Sequence, residues 1–244
     1  MKISKVTDPV TGTARKLLKL KYTGAVVVAA GNASRMNGID KVMAPIQGEP
    51  MILHTVRAFQ NCDAIKEIVV VTREDLLSRV MGLCRGFKKV RAVVVGGKDR
   101  QESVELGMNA LSDKVKLVAI HDGARPLVTG AVIDRAVRAA NSYGAAAPAV
   151  PVKDTIKTVQ GGVVINTPDR KQLQAVQTPQ TFDFDLLRGA LKKARLEEAV
   201  ITDDCSAVEN MGFSVKIVEG DEKNIKVTTP LDLKIAELFL EDKQ

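Results

Sequence analysis

Short apolar runs along this chain alternate with longer stretches in which apolar residues recur at helical spacing. The runs consist mainly of Val, Ala, Ile and Leu and have the length of single strands, which predicts strands buried on both faces. They occupy residues 25–30, 68–72, 90–95, 117–121 and 145–150. Because helices separate the strands, the pattern predicts an α/β fold with a Rossmann-like open, mainly parallel sheet flanked by helices.

Residues that favour helix ends place several of the helices. Pro50 begins a predicted helix that runs to about Gln60, and Thr129 caps another whose apolar positions share one face. Thr229 and Pro230 predict the start of the last helix, with a capping hydroxyl followed by Pro at the first helical position.

The segment 152–181 has a different pattern, in which the alternating runs PVKDTIKTV and VVINT flank Gly161 and Gly162. This pattern predicts a β-hairpin, which should project from the sheet as an arm. An isolated hairpin is only marginally stable, so we expect the arm to pack on a second copy of the chain. Since the chain shows neither an internal repeat nor an interdomain linker, we expect residues 1–244 to form a single domain.

Composition narrows the possible classes of function. The chain is 45% hydrophobic, enough for a sizeable core, but it is only 3% aromatic and has no Trp, which argues against recognition of nucleic acid by stacking on its bases. A net charge of +7 permits binding to nucleic acid or a membrane surface, yet it equally suits an enzyme for small phosphorylated substrates. No basic stripe is interleaved with aromatic residues, so we expect neither a nucleic-acid nor a membrane partner.

Cysteine usage and the first twenty residues bear on the compartment. Cys62, Cys84 and Cys205 lack the paired spacing of a zinc site or a redox motif, which indicates free thiols in a reducing cytosol. The first twenty residues lack the apolar core of a signal peptide, and no apolar run approaches the roughly 20 residues that span a bilayer. We therefore expect a soluble, cytoplasmic protein.

The first candidate site is the loop after the first apolar run. Gly31 and its small neighbours allow backbone N–H groups to approach an anion closely, while Arg35 and Lys41 supply positive charge. The loop lacks both the P-loop pattern and the three glycines of a dinucleotide-binding loop. Its cations either bind a polyphosphate or simply lie on the loop surface.

Two further loops follow later strands and should lie at the same edge of the sheet. Gly97, Arg100 and Ser103 belong either to an anion site or to an ordinary helix start. In HDGARP, Asp122 suits Mg²⁺ or a sugar hydroxyl and Arg125 suits a phosphate, or the two form an ion pair that fixes the turn. The chain shows no catalytic triad or cysteine metal cluster, and nucleotidyl transfer requires neither, because positioning, cations and Mg²⁺ supply most of the catalysis.

Seven ordered motifs extend this hypothesis along the chain from about Gly24 to Leu240. They are AAGNASRM, GGKDRQESV, HDGARP, PVKDTIK, QTPQTF, ITDDCSAVE and NIKVTTPLDL. Together they resemble the 2-C-methyl-D-erythritol 4-phosphate cytidylyltransferases of the non-mevalonate isoprenoid pathway. The resemblance implies a transferase that joins CMP from CTP to methylerythritol phosphate and releases pyrophosphate, with Mg²⁺ or another divalent cation. It also implies a homodimer in which each arm reaches into the partner.

The resemblance assigns roles by position. Arg35 and Lys41 match the residues that stabilise the pentacoordinate phosphorus, and Lys226 and Arg170 match the pair that positions the acceptor phosphate, Arg170 from the other subunit. The positions that match cytidine and triphosphate contacts are Ala29, Ala30, Gly31, Gly97, Ser103 and Ala124. The positions that match acceptor-side or metal-side contacts are Asp122, Arg125, Thr155, Thr178 and Thr202, with Asp122 as the metal ligand.

Two positions depart from the family pattern. Asp40 precedes Lys41 where the family often has Pro, in a loop one residue shorter, and Lys98 stands where an acidic residue is frequent.

Two rival functions remain open. The nearer is a cytidylyltransferase of the same fold for ribitol 5-phosphate or another polyol phosphate, and Ala124 and Ser206 favour methylerythritol phosphate over it. The other rival is a non-catalytic protein that binds nucleotides or nucleic acid. The presence of all four cations assigned to catalysis argues against it.

Overall fold

The computed structural model describes residues 6–7, 14–15, 19–31 and 40–241. The strands before the first long helix are β1 (Val6–Thr7), β2 (Ala14–Arg15), β3 (Thr23–Ala29), β4 (Pro45–Ile46) and β5 (Glu49–Pro50). The later strands are β6 (Glu67–Thr72), β7 (Val90–Val95), β8 (Leu117–Asp122), β9 (Ala145–Pro151), β10 (Thr158–Gln160), β11 (Val163–Asn166), β12 (Gln174–Val176), β13 (Gln180–Asp183) and β14 (Lys216–Glu219). The α-helices are α1 (Met51–Gln60), α2 (Leu77–Cys84), α3 (Arg100–Asn109), α4 (Gly130–Tyr143), α5 (Phe184–Leu196), α6 (Asp204–Glu209) and α7 (Pro230–Glu241), and short 3₁₀ turns cover Lys41–Met43, Glu74–Leu76 and Arg170–Gln172.

A mixed, mostly parallel sheet of eight strands forms the centre of the molecule. Its strand order is β12, β9, β13, β8, β3, β6 and β7, and β14 joins it by pairing with β9. Strands β8, β3, β6 and β7 run parallel, so their carboxyl ends lie along one edge. This arrangement confirms the predicted fold class.

Helices cover both faces of the sheet because successive side chains of each strand point to opposite faces. On one face Ala25 and Val27 pack with the apolar sides of α1 and α4. On the other face Val26 packs with α3, α5 and α6. The central strands are thus buried on both faces, as their continuous apolar runs predict.

The antiparallel strand β13 is the main feature that the apolar pattern does not predict. It lies between β8 and β9 and pairs antiparallel with both. Its sequence QTFD is mostly polar, yet Gln180, Thr181 and Phe182 are buried. A polar segment can occupy a central sheet position when its backbone groups pair on both sides, and this pairing depends on distant parts of the chain.

The predicted hairpin is present in the arm. Strands β10 and β11 pair antiparallel, and both glycines between them have positive φ angles, 57° at Gly161 and 80° at Gly162. Such angles are strained for residues with a Cβ, which explains the glycine pair. Both strands are exposed along their whole length in this chain. Among the described residues, no helix has the length and apolarity needed to cross a bilayer.

Candidate active site

A cavity of about 280 Å³ opens at the carboxyl edge of the parallel strands, where the α/β fold predicts a ligand site. It receives residues from the ends of β3 and β8, from the loop between β7 and α3, and from the segment before α7. Nine of the residues assigned from the sequence line it together, and seven of them are Ala29, Ala30, Gly31, Lys41, Gly97, Ser103 and Ala124. Asp122 and Lys226 also line it, so the cavity joins nucleotide-side and acceptor-side positions.

The loop after β3 contributes both backbone and charge. Gly31 lies at the cavity, and Lys41 begins a short 3₁₀ turn that brings its side chain to the cavity wall. Asp40 caps this turn, because its carboxylate accepts a hydrogen bond from the Val42 N–H at 3.1 Å. Arg35, the other cation predicted to act here, lies outside the described residues.

The loop after β7 is fixed by hydroxyl and carboxylate contacts. The Ser103 hydroxyl accepts a hydrogen bond from the Gly97 N–H at 3.1 Å and donates one to the Asp99 carbonyl at 2.8 Å. Asp99 caps α3 by accepting from the Glu102 N–H at 2.7 Å. Ser103 is 2% exposed, so it holds the loop backbone at the cavity from within the core.

Asp122 lies at the centre of a cluster of cations. Its Oδ2 is 2.9 Å from the Lys226 Nζ and 3.6 Å from the Arg125 Nε, and its Oδ1 is 3.9 Å from the Arg100 Nε. Burial alone raises the pKa of the Asp122 carboxyl, but the three cations outweigh it and lower that pKa to about 2. The carboxylate is therefore ionised at any ordinary working pH.

The Asp122–Arg125 ion pair that the sequence left as an alternative is present, but it is not the whole arrangement. The Arg125 Nη1 also donates to the Asn224 carbonyl at 2.7 Å, and the Val227 N–H donates to the Ala124 carbonyl at 2.8 Å. The turn after β8 thus holds the segment that carries Lys226. This contact explains how Lys226, near the end of the chain, comes to lie beside the end of β8, which belongs to the middle of the chain.

Arg100 connects the cavity to a buried acid. Its guanidinium donates two hydrogen bonds to the Asp204 carboxylate, at 2.9 and 2.7 Å, and the Asp204 side chain is 0% exposed. A planar guanidinium matches a carboxylate in this two-point way, which fixes its orientation. Arg100 is also the first residue of α3, so it both begins an ordinary helix and lines the cavity with its side chain.

Behind Asp122, the buried pair His121 and Thr178 holds the end of β8. The His121 Nε2 lies 3.2 Å from the Arg125 carbonyl, which can only accept, so this nitrogen carries the proton. The Thr178 hydroxyl therefore donates to Nδ1 at 2.9 Å, and its oxygen accepts from the Asp122 N–H at 3.2 Å. Burial lowers the pKa of His121 to about 4, which keeps the imidazole neutral.

Five assigned residues within the described part of the chain do not line the cavity: Arg125 and Thr178 contact Asp122 from behind it, and the other three are Thr155, Arg170 and Thr202. Thr155 and Arg170 belong to the exposed arm, where the Arg170 Nη1 donates to the Lys153 carbonyl at 2.7 Å. Thr202 lines a neighbouring cavity of about 290 Å³ that shares Arg100 with the first. Within one chain, the structure therefore brings together the nucleotide-side positions and Asp122 with Lys226, but not the arm residues.

Asp40 and Asp204 each hold a residue that lines the cavity, and Arg73 holds Asp40, but the sequence patterns assign no role to any of the three. Asp204 belongs to the motif ITDDCSAVE, but the sequence does not reveal that its side chain is buried. Arg73 forms an ion pair with Asp40 across two loops, and no spacing rule connects residues on different loops.

The donor set suits a divalent cation that substrate phosphates help to hold. Among residues 19–31 and 40–241, no three His, Cys, Asp or Glu side chains form a metal-binding group. Asp122 is a single hard oxygen ligand at the cavity, and Mg²⁺ typically uses one or two carboxylates together with substrate phosphates and water. The residues therefore fit a cation that arrives with a nucleotide.

Sequence comparison matches the chain to known enzymes. The family model described as "IspD: 2-C-methyl-D-erythritol 4-phosphate cytidylyltransferase" matches residues 23–242. A 2-C-methyl-D-erythritol 4-phosphate cytidylyltransferase of Caldanaerobacter subterraneus is 47% identical over 226 residues, which cover 88% of this chain and 97% of the relative. The enzyme of the same name from Alkaliphilus oremlandii is 40% identical, with 92% and 98% covered.

Solved structures agree with the sequence comparison. A 4-diphosphocytidyl-2C-methyl-D-erythritol synthase from Anaerococcus prevotii has a TM-score of 0.82 at 29% identity, covering 91% of this chain and 96% of that one. The 2-C-methyl-D-erythritol 4-phosphate cytidylyltransferase of Thermus thermophilus has a TM-score of 0.73 at 31% identity, covering 91% and 100%. The chain therefore belongs to the 2-C-methyl-D-erythritol 4-phosphate cytidylyltransferase family.

Proposed function

We propose that this protein transfers CMP from CTP to 2-C-methyl-D-erythritol 4-phosphate and releases pyrophosphate. The observation that carries the proposal is the cavity at the carboxyl edge of the sheet, where Lys41, Lys226 and Asp122 meet a backbone of small residues. The family membership of the chain supplies the identities of both substrates. These relatives favour neither of the alternatives, a cytidylyltransferase for another polyol phosphate or a non-catalytic nucleotide-binding protein.

At the nucleotide end, small residues allow close approach by the substrate. Backbone groups of Ala29, Ala30, Gly31 and Gly97 and the turn at Ala124 contact cytidine and the triphosphate in our proposal. Ser103 acts from behind, because its hydroxyl already holds the Gly97 N–H. Lys41 neutralises charge that develops on the α-phosphate during the transfer, and Arg35 has the same role.

At the acceptor end, Lys226 and Asp122 form the recognition pair. An oxygen of the acceptor phosphate attacks the α-phosphorus of CTP, the bond to the bridging oxygen breaks, and its electron pair leaves with pyrophosphate. The Lys226 ammonium, now 2.9 Å from Asp122, attracts the acceptor phosphate and orients it for this attack. Arg125 and Thr178 hold Asp122 in place, so we assign them to acceptor binding through that carboxylate.

A divalent cation, Mg²⁺ by preference, completes the site in this proposal. Asp122 would hold it together with phosphate oxygens of CTP, and the cation would supply charge neutralisation for the triphosphate. Lys226 can turn from Asp122 to the acceptor phosphate, since its side chain is 43% exposed and therefore has room to move.

We further propose that the chain works as one nucleotidyltransferase domain in a homodimer. The dimerisation arm lies within residues 152–181: its exposed part is the hairpin of β10 and β11, whereas β12 and β13 return to the central sheet. Arg170 and Thr155 from this arm act at the partner's acceptor site. Neither residue lines the cavity of its own chain, which supports this assignment, as does the exposed apolar surface of β10 and β11. Thr202, which lines the neighbouring cavity, acts at the rim of the site.

An assay of pyrophosphate release tests the proposed activity. We expect release only when CTP, Mg²⁺ and methylerythritol phosphate are all present, and little with other nucleotides or with ribitol 5-phosphate. Lys41→Ala should lower kcat by about a hundred- to a thousandfold, as for loss of one preorganised charge. Lys193→Ala is the matched control, because Lys193 lies on α5 outside the cavity lining and its contacts are an exposed ion pair with Glu197 and a hydrogen bond to the Asn210 carbonyl.

Two outcomes would contradict the proposal. Faster turnover with ribitol 5-phosphate would reassign the acceptor, and nucleotide binding without pyrophosphate release would favour the non-catalytic alternative. A loss of activity in Lys193→Ala equal to that in Lys41→Ala would show that the loss is not specific to the cavity.

A further inference from the structure

An ion pair between Arg73 and Asp40 lies beside the proposed active site. Arg73 directly follows the end of β6, so it stands at the same edge of the sheet as the cavity. Its Nη1 lies 2.5 Å from Asp40 Oδ2, and the side chains are only 24% and 17% exposed. Such shielding from solvent distinguishes this pair from exposed surface pairs, which contribute little.

Asp40 joins this ion pair to the turn that carries Lys41. While one carboxylate oxygen faces Arg73, the other accepts a hydrogen bond from the Val42 N–H at 3.1 Å. The Asp40 carbonyl accepts a second bond, from the Met43 N–H at 3.0 Å. Because Val42 and Met43 are buried, the turn is anchored on both sides of its cavity-lining lysine.

Arg73 is itself held in orientation by Asp75. The Arg73 Nε and Nη2 donate to the two Asp75 carboxylate oxygens at 2.9 and 2.8 Å, which leaves Nη1 to face Asp40. A guanidinium held at two points has little freedom to rotate. The contacts therefore form a continuous series from Asp75 through Arg73 and Asp40 to the turn at Lys41.

We propose that Arg73 is a positioning residue that, through Asp40, fixes the turn from which Lys41 reaches the reacting phosphate. The inference rests on the proposed function, because it concerns the orientation of a lysine that is assigned to the transfer step. It also gives a reason for Asp40, which stands where the family often has Pro: a carboxylate can cap the turn and bind Arg73, whereas Pro can do neither.

Kinetics of Arg73 and Asp40 variants test the proposal. Arg73→Ala should lower kcat for pyrophosphate release by about ten- to a hundredfold, because a small misplacement of a catalytic group has effects of this size. The KM for the acceptor should stay within about twofold, since Lys226 and Asp122 are untouched. Arg73→Lys, which keeps the charge facing Asp40, should recover part of the loss.

A double-mutant cycle tests whether Arg73 acts through Asp40. Asp40→Asn keeps an oxygen for the Val42 N–H but removes the charge that faces Arg73. If the two residues act in series, Arg73→Ala combined with Asp40→Asn should be no slower than the worse single variant. Losses that simply multiply would overturn the proposal, as would a change confined to KM.

Hydrogen exchange supplies a readout that does not depend on turnover. Exchange of the amides at residues 42–44 should be faster in Arg73→Ala than in the wild-type chain, because the cap of the turn loses its support. Arg138→Ala is the matched control, since Arg138 forms an exposed ion pair with Asp134 on α4. That variant should leave exchange and turnover at wild-type values.

The two readouts separate the inference from the proposed function. A wild-type chain that releases no pyrophosphate would refute the proposed function. An active wild-type chain together with unchanged exchange and unchanged kcat in Arg73→Ala would refute only the inference.

Discussion

Asp122 combines burial with full ionisation because three cations surround it. Lys226 lies close enough for a hydrogen bond, while Arg125 and Arg100 approach more loosely at 3.6 and 3.9 Å. This difference has a consequence for ligand binding: Lys226, which is the most exposed of the three, can leave the carboxylate while the two arginines still compensate its charge. A buried carboxylate left wholly unpaired would be costly, so the two arginines allow Lys226 to leave Asp122 for a ligand.

His121 provides a pH-dependent test at the residue scale. Because burial lowers its pKa from 6.5 to about 4, the unfolded chain binds the proton more tightly than the folded chain. The contribution of His121 to stability is therefore complete above its unfolded pKa and is lost as the pH falls from about 6.5 toward 4. Between pH 7 and pH 5 the wild-type chain should lose about 2 kcal/mol of unfolding free energy from this residue.

The measurement compares urea unfolding of the wild-type chain and His121→Gln at pH 7 and pH 5. The variant cannot take up a proton at this position, so its stability should fall less over the interval, even if it is lower at both values. Comparing how much the unfolding free energy of each protein changes between pH 7 and pH 5 removes the contributions of the carboxylates, because both proteins share them. Equal changes would contradict the assignment of a neutral, buried imidazole.

The residues of the candidate site were predictable to different degrees. Gly31 and Asp122 directly follow the apolar runs 25–30 and 117–121, so the carboxyl-edge rule alone places them at a site. Lys226 lies 2.9 Å from Asp122 although a hundred residues separate them, and only the family motif pointed to it. The contact of Arg73 with Asp40 had no sequence signal, because it depends on how two separate loops pack.

At the scale of elements, apolar continuity identified five strands, of which β3, β6, β8 and β9 are buried on both faces. For β7 the prediction of burial on both faces is wrong, because this strand lies at the edge of the sheet and is partly exposed. The structure begins the first of the five strands, β3, at Thr23 and ends it at Ala29, because Thr23 pairs with Leu117 on β8 and Gly24 pairs with Glu67 on β6. Strand β13 could not be found in this way, since its central position comes from pairing with β8 and β9 and not from its own composition.

Helix α3 approaches the sheet closely, which gives a test at the element scale. A Cβ on Gly107 would lie 2.4 Å from Val26 Cγ1 and 2.7 Å from Val71 Cγ2, and both valines are fully buried and stiff. Gly107→Ala should therefore lower the unfolding free energy by about 1–3 kcal/mol, as overpacking of a core does. Urea unfolding at pH 7 measures the change.

Gly82 on α2 is the matched control for this substitution. It is exposed, and a Cβ there would meet nothing within 4 Å. Gly82→Ala should raise the unfolding free energy by about 0.5–1 kcal/mol, because alanine has the higher helix propensity. A Gly107→Ala variant as stable as Gly82→Ala would show that α3 can move away from the sheet without cost.

At the scale of the whole molecule, the arm is the part that a single chain leaves incomplete. Val159, Val163, Val164 and Ile165 are 54%, 67%, 53% and 59% exposed on its two strands. Four branched apolar side chains on one hairpin form the kind of exposed patch that marks an interaction site. Arg170, which the family resemblance assigns to catalysis, lies in the same arm and outside the cavity of its own chain.

Mixing two inactive variants tests whether the arm completes a partner's site. Arg170→Ala and Lys41→Ala should each have little activity alone, because in a homodimer of either variant both active sites lack one of the cations assigned to catalysis. If Arg170 acts across the dimer, a mixed dimer holds one site with both wild-type residues and one site with neither. With equal amounts and free exchange, half of the dimers are mixed, so activity should recover to about a quarter of the wild-type value.

The same experiment distinguishes a shared site from a site within one chain. If Arg170 reached the cavity of its own chain, every site in a mixed dimer would lack one cation, and mixing would restore nothing. Subunit exchange must be confirmed separately, for example by mass spectrometry of differently tagged chains. Val164→Lys supplies the matched arm variant: a charge on the exposed apolar strand should weaken dimerisation and lower activity most at low protein concentration, while leaving Arg170 and Lys41 intact.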